Sequence, residues 1–322
     1  MPETTLETIL EATVYILGLV FAGFIVRIIS ARVKSIEQIT KLCFRYLNIF
    51  VLWGALPAVV FVSIARYSLA QIIGFGNAIF LASVGLGVCF ISPIVISHIA
   101  KDSKETTIAL VMNSAFMNVS YLGLPVIYAL LGTEGLGPAA LYAMTIGVLH
   151  LIFGIAMASH ASKKQLSLGT LVEHVITFPA AFALIVALLF VGFGAPIPTV
   201  VRNFFDAYLA KPFFALMLVV VGYQMHIVNP RKYLGALSMV GAIRFLVSPL
   251  VTYLGIVMLG LSVATDITPK PALIQSVMPP AIFNLILAYN YKLDLKLYGA
   301  LFFYLTLISL FIALPVLLYF IS

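Results

Sequence analysis

Residues 276–284 read SVMPPAIFN, and they lie in a run without a charged residue from Pro271 to Tyr291. Such a run is built to cross a membrane, yet Pro279 and Pro280 stand at its centre. Each proline lacks a backbone N–H, and its ring clashes with the preceding turn, so a helix is expected to break there. In hydrocarbon a break strands polar backbone groups at several kcal/mol each, unless protein, water or ligand satisfies them. The break therefore needs a use.

Composition sets the surroundings. The chain of 322 residues is 63% apolar and 9% charged, against roughly 25% charged in a soluble domain. Its mean hydropathy is +1.16. These values define a polytopic membrane protein. The opening MPETTLETILEA carries no Lys or Arg, so cleavage as a secretory signal is not expected. Cys43 and Cys89 fall in or beside apolar stretches and read as buried small hydrophobes rather than a disulfide. The net charge of +7 reads as flanking charge on one side of the membrane, with no nucleic-acid partner.

A bilayer core of ~30 Å takes about 20 apolar residues in a helix. Stretches of that kind lie near 9–29, 46–65, 70–97, 106–132, 138–160, 174–193, 203–225, 234–262, 269–290 and 296–321. With loops numbered alternately, one set holds thirteen Lys and Arg, including Lys163 and Lys164, and the other holds Arg66, Arg202, Lys211 and Lys270. That bias puts the first set in the cytoplasm and both termini outside. The expectation is an all-α protein of ten transmembrane helices. Ten divide into two sets of five, residues 1–160 and 161–322, and the odd number makes the second set an inverted repeat of the first.

Span 4 contains NSAFMNVSYLGLPV at 113–126, and span 9 contains IQSVMPPAIFNLIL at 274–287. Both cluster amides, hydroxyls and helix breakers at mid-span, and matching interruptions in two halves mark a carrier's binding site. Breaks near Met117–Asn118 and Pro279–Pro280 start two new helices near the midplane. Each start has free N–H groups and about half a positive charge. Brought together, they make an anion site.

Candidate lining residues are Asn118 and Asn284 at the breaks, Met117, Ser120 and Tyr121 beside the first, Pro279 and Pro280 forming the second, and Asn48 with Trp53 on span 2. Pro125 kinks the outer half of span 4. Arg244 falls ~16 Å into span 8 at 1.5 Å per residue. A cation there costs ~2.5–3.5 kcal/mol, so it is expected to face the interior and meet substrate carboxylate or helix-end carbonyls. Lys211 reads as a surface anchor. His150 titrates near neutrality, but a lone His in a helix is ordinarily a packing residue. Glu11, Glu173, Asp206 and Asp266 all lie near span ends, unlike the buried carboxylates of cation/proton exchangers. No Gly-x-Ser-x-Gly, His-Glu-x-x-His or Cys–His cluster is present, so an enzyme is not expected.

MNVSYLGLPVIYALLG at 117–132 followed by TEGLGPAALYA, and SVMPPAIFNLILAYNYKLD at 276–294 leading to FYLTLISLFIALPVLL, resemble the auxin efflux carrier family, which holds plant PIN-type exporters and bacterial malonate-type carriers. The resemblance covers roughly residues 9 to 321. It implies the fold of bile-acid symporters and sodium/proton antiporters. In that fold a scaffold domain of spans 1, 2, 6 and 7 stands beside a transport domain of spans 3–5 and 8–10. It also implies a small organic anion as substrate, a homodimer and a cell-membrane location. Met117-Asn118 replaces the Pro-Asn of PIN-type members, and the link between halves is short, as in bacterial members. No cofactor is implied, and a coupling Na+ or H+ stays open. A sodium-coupled symporter, or a receptor or channel without a transport cycle, is the alternative.

Overall fold

The computed structural model describes residues 6–162, 167–195 and 197–321. Lys163 and Lys164 lie outside them. The described residues form helices joined by short loops, with one isolated antiparallel bridge between Met117 and Pro280. In chain order the helices are α1 (Ile9–Arg32), α2 (Ile36–Ala65) and α3 (Leu69–Ala100), then α4 (Lys104–Ala115), α5 (Val119–Leu131) and α6 (Leu136–Ala161). They continue with α7 (Leu168–Ile176), α8 (Pro179–Gly192), α9 (Thr199–Gln224) and α10 (Leu234–Met258). The last are α11 (Pro269–Ser276), α12 (Ile282–Asn290) and α13 (Leu295–Ile321). Seven of them (α1, α2, α3, α6, α9, α10 and α13) are long and apolar enough to cross a membrane. The stretches expected at 106–132 and 269–290 are each two shorter helices, α4–α5 and α11–α12.

Several expected boundaries move, among them the start drawn at 46, where the helix already runs from Ile36. The span drawn from 174 begins as α8 at Pro179, because Phe178 is extended and proline suits the first helical turn. The span drawn to 262 stops at Met258, where Gly260 turns the chain with a φ of +67°. Cys89 is buried as expected, but Cys43 is exposed on α2, on the polar-flanked turn ahead of the apolar run.

Six of these helices carry a five-residue π-turn: at Val51–Ala55, Val119–Gly123, His150–Gly154, Phe205–Leu209, Ile243–Val247 and Ser309–Ala313. Four of the six are followed two residues later by Pro57, Pro125, Pro249 or Pro315, and Pro212 follows a fifth at three residues. A proline ring crowds the carbonyl one turn back, and a widened turn makes room for it. His150–Gly154 has no such proline. Gly154 explains it in part: a Cβ there would sit 2.5 Å from the His150 ring.

Packing draws the helices into groups. α1 lies along α9 with backbones in contact: a Cβ on Gly222 would fall 1.8 Å from the Val20 carbonyl, and one on Gly23 would fall 2.1 Å from that of Val219. α2 packs on α8. α3 gathers α4, α6 and α10, and α13 packs on α4, α11 and α12. The two interrupted pairs sit inside this second group.

Candidate functional site

The interruptions meet. α4 ends at Ala115, Phe116 is extended (φ −97°, ψ 106°), and a new helix starts after Asn118. α11 ends at Ser276, and α12 starts after an extended Ala281. Where they cross, the Asn118 N–H donates to the Pro279 carbonyl at 2.7 Å, and the Ala281 N–H donates to the Phe116 carbonyl at 2.9 Å. Backbone groups freed by one break are thus bonded by the other, which is how non-helical chain becomes tolerable at this depth.

Beyond the crossing the two new helices begin side by side. The Asn118 carbonyl takes the N–H groups of both Leu122 (3.3 Å) and Gly123 (3.0 Å), and the Val119 N–H turns back to the Met117 carbonyl. The first-turn amides of Ser120 and Tyr121 have no carbonyl a turn back to bond. In α12 the Asn284 N–H bonds Ala281, so Ile282 and Phe283 stand in the same position. All four residues line one cavity of about 320 Å³. Its other walls are Asn48, Leu52, Trp53 and Leu56 of α2, Ile146, Gly147, His150 and Leu151 of α6, and His174, Thr177, Phe178 and Pro179 where α7 gives way to α8. The cavity lies between the crossing on one side and α2, α7 and α8 on the other.

Two of its lining residues each hold a fully buried side-chain nitrogen without a hydrogen-bond partner, Nδ2 of Asn118 and Nε2 of His150, so a ligand reaches either only by a side-chain turn. Buried polar groups are nearly always hydrogen-bonded, so each orphan asks for an explanation. Behind the wall, Oδ1 of Asn284 is a third orphan, and the Asn284 and His150 side chains interact with each other though outside good hydrogen-bond geometry. The His150 ring is stacked flat on Phe116 (4.1 Å, 3°) and stands edge-on to Phe283 (5.0 Å, 83°). One imidazole therefore touches an aromatic ring from each interrupted segment.

Of the residues singled out by sequence, Met117, Asn118, Ser120, Tyr121, Asn48 and Trp53 line the cavity. Pro279 and Pro280 make the crossing without reaching the wall. Asn284 is buried behind it, donating from Nδ2 to the Met112 carbonyl (3.1 Å), to Asn113 Oδ1 (3.4 Å) and to the Phe116 carbonyl (3.4 Å). It thereby closes the C-terminal end of α4. Arg244 is fully buried and also off the cavity, bonded to carbonyls at the ends of α4 and α11. The second of its two expected partner types is the one it has. Lys211 is exposed and rests over the Tyr15 ring at 5.7 Å. His150, expected as a packing residue, does pack on two aromatic rings, and it also belongs to the cavity lining. The signal available was a histidine with glycine four residues on, which leaves space for a ring to turn inward.

A multi-pass helical protein with interrupted helices around an internal cavity is an architecture that suits a membrane transporter. Residues 8–168 match the family of membrane transport proteins, and the chain belongs to that family. It is 25% identical over 317 residues to an uncharacterized transporter of Methanothermobacter thermautotrophicus, covering 95% of this chain and 96% of the relative. It is 24% identical over 313 residues to an uncharacterized transporter of Methanocaldococcus jannaschii, covering 94% and 96%.

Proposed function

We propose that this transporter carries a small organic anion with a carboxylate head, held where the two interrupted helices cross, and moves it by alternating access. The observation that carries the reading is the reciprocal pair of hydrogen bonds between Asn118 and Pro279 and between Ala281 and Phe116. It aims two helix N-termini into one cavity. Two such ends offer an anion up to ~2 kcal/mol each in partly buried settings. Asn118 Nδ2 and a donor on His150 Nε2 add hydrogen bonds of ~1.5–3 kcal/mol each to a charged group. After association costs of at least ~4 kcal/mol, what remains of these contributions suits an affinity around the millimolar range. That is tight enough to load and loose enough to release. The apolar walls fit an acid with an apolar body.

In this reading α4–α5, α8 and α11–α12 complete a set of ten spans, arranged as two inverted halves, residues 1–160 and 161–322. α1, α2, α8 and α9 form a scaffold, supported by the backbone contact between α1 and α9. α3–α6 and α10–α13 form the moving domain that carries the crossing. Both termini lie outside, on the side opposite the thirteen flanking Lys and Arg.

Proteoliposome flux tests it. Radiolabelled benzoate and malate, as apolar and polar carboxylates, are offered to vesicles preloaded with unlabelled acid. A carrier gives saturable uptake accelerated by the internal acid. Linear, non-saturating flux of either acid would indicate a channel, and no flux of any mono- or dicarboxylate in a wider panel would remove the reading.

A further inference from the structure

At the crossing, outside the cavity lining, three backbone carbonyls converge: those of Ser114 at the end of α4, Ser276 at the end of α11, and Met278 in the second break. Carbonyls of unwound backbone and of half-helix C-termini are the groups with which carriers hold a coupling Na+. Here a side chain occupies the place. From π-turn Ile243–Val247 of α10, Arg244 sends its guanidinium between them. Nε donates to Met278 O at 3.2 Å, Nη1 to Ser114 O at 3.2 Å, and Nη2 to Ser276 O at 2.6 Å. The remaining contacts are to sulfur, Nη2 to Met117 at 3.3 Å and Nη1 to Cys89 at 3.8 Å. A guanidinium has five N–H donors, and five contacts use them all. None is left for a ligand.

The charges balance as well. Each helix C-terminus carries about −0.5 of a charge, so two of them together offset one guanidinium. Neither the Lys41–Glu37 nor the Arg66–Asp206 ion pair involves Arg244. The helix ends are its counter-charge. Ser276 O also accepts from Ser248 Oγ at 2.9 Å, which fixes the end of α11 to the same helix, α10.

We propose that Arg244 is a resident cation of the crossing, filling the carbonyl seat that a coupling sodium ion would otherwise need, so that the protein works without a bound metal cation. The claim rests on the transport reading for its consequence, sodium-independent flux, but the seat itself is testable without any substrate. The purified full-length chain is melted in NaCl and in choline chloride at equal ionic strength. The wild type melts at the same temperature in both. Arg244→Ala melts lower, and methylguanidinium raises its melting by several degrees while leaving the wild type unmoved. Sodium-dependent melting of the wild type overturns the proposal, and so does an Arg244→Ala variant indifferent to methylguanidinium. Should Arg244→Ala not fold, Arg244→Lys replaces it: the ammonium keeps the seat filled, so this variant must stay indifferent to sodium, and a sodium response overturns the proposal.

Flux separates this claim from the one beneath it. Radiolabelled benzoate uptake is expected to be equal with sodium or choline outside. Uptake that requires sodium sinks the resident cation and leaves the carrier standing. No uptake of any carboxylate sinks the carrier, while the melting results still decide what fills the seat.

Discussion

Between Ser276 and Ile282 the chain leaves its helix at two prolines that cannot donate a backbone hydrogen bond, whereas between Ala115 and Val119 it does so with no proline at all. The second break is local, written in covalent structure. The first is made by its partner: the Phe116 carbonyl and the Asn118 N–H are held outward by Ala281 and Pro279. Asn284, from the proline side, then closes the end of α4. One break is therefore a property of its sequence and the other a property of the pair. The lesson is that an inverted pair needs only one strong breaker when the crossing bonds are reciprocal.

The comparison breaks hardest at Asn284. Asn284→Ala leaves the end carbonyls of α4 without their buried donor, at a cost of about 3 kcal/mol. It is expected to lower the melting temperature markedly and abolish carboxylate flux. Pro279→Ala with Pro280→Ala comes next. The pairing through Asn118 and Ala281 survives, so the chain still folds, but α11 gains freedom to run on, and flux falls at least ~10-fold. A double variant with wild-type kinetics would show that the local breaker is dispensable.

His150→Phe sharpens the account at the cavity. Phenylalanine keeps the stack on Phe116 while removing the ring nitrogen. Melting is expected to stay near wild type while carboxylate affinity, read by thermal-shift titration, falls ~10-fold, the equivalent of 1.4 kcal/mol. Met117→Pro asks whether the first break can bear its own breaker. Phe116 is already extended, the conformation favoured before proline. The expected loss is ~1 kcal/mol, from the sulfur contacts to Arg244 and Tyr142.

The smallest effect lies far from both breaks. His226, just past the end of α9, donates from Nδ1 to the Gln224 carbonyl (2.7 Å) and accepts at Nε2 from Arg27 (2.6 Å). Burial first, then the Arg27 charge, and more weakly that of Lys41, hold it below the ordinary histidine range. The unfolded chain thus takes up this proton at a higher pH than the folded one. Stability should drop as pH falls below about 6.5. His226→Gln should flatten that slope in melting curves recorded from pH 5 to 8, and an unchanged slope would assign it to other groups.

Much of this was legible in the residues. Pro279–Pro280 in an uncharged run announces a break, because proline's missing N–H acts whatever surrounds it. The amides of Asn118 and Asn284 mark where freed backbone needs donors. What could not be read was direction. Asn118 faces the cavity and Asn284 faces α4, a difference set by packing around the crossing rather than by either neighbourhood in sequence. Arg244 was legible as buried and paired, but its choice of carbonyls over substrate depends on α4 and α11 ending at one place. His150 stayed hidden because its partners, Phe116 and Phe283, are distant in the chain.

A structure of the protein with 4-bromobenzoate tests the central claim most directly, since bromine locates the acid without reference to any residue. The account expects the carboxylate against the amides of Ser120, Tyr121, Ile282 and Phe283, within hydrogen-bond distance of Asn118 Nδ2 and His150 Nε2, with the bromine among the apolar walls. Bromine found only elsewhere, with the space before the crossing filled by lipid, would contradict it.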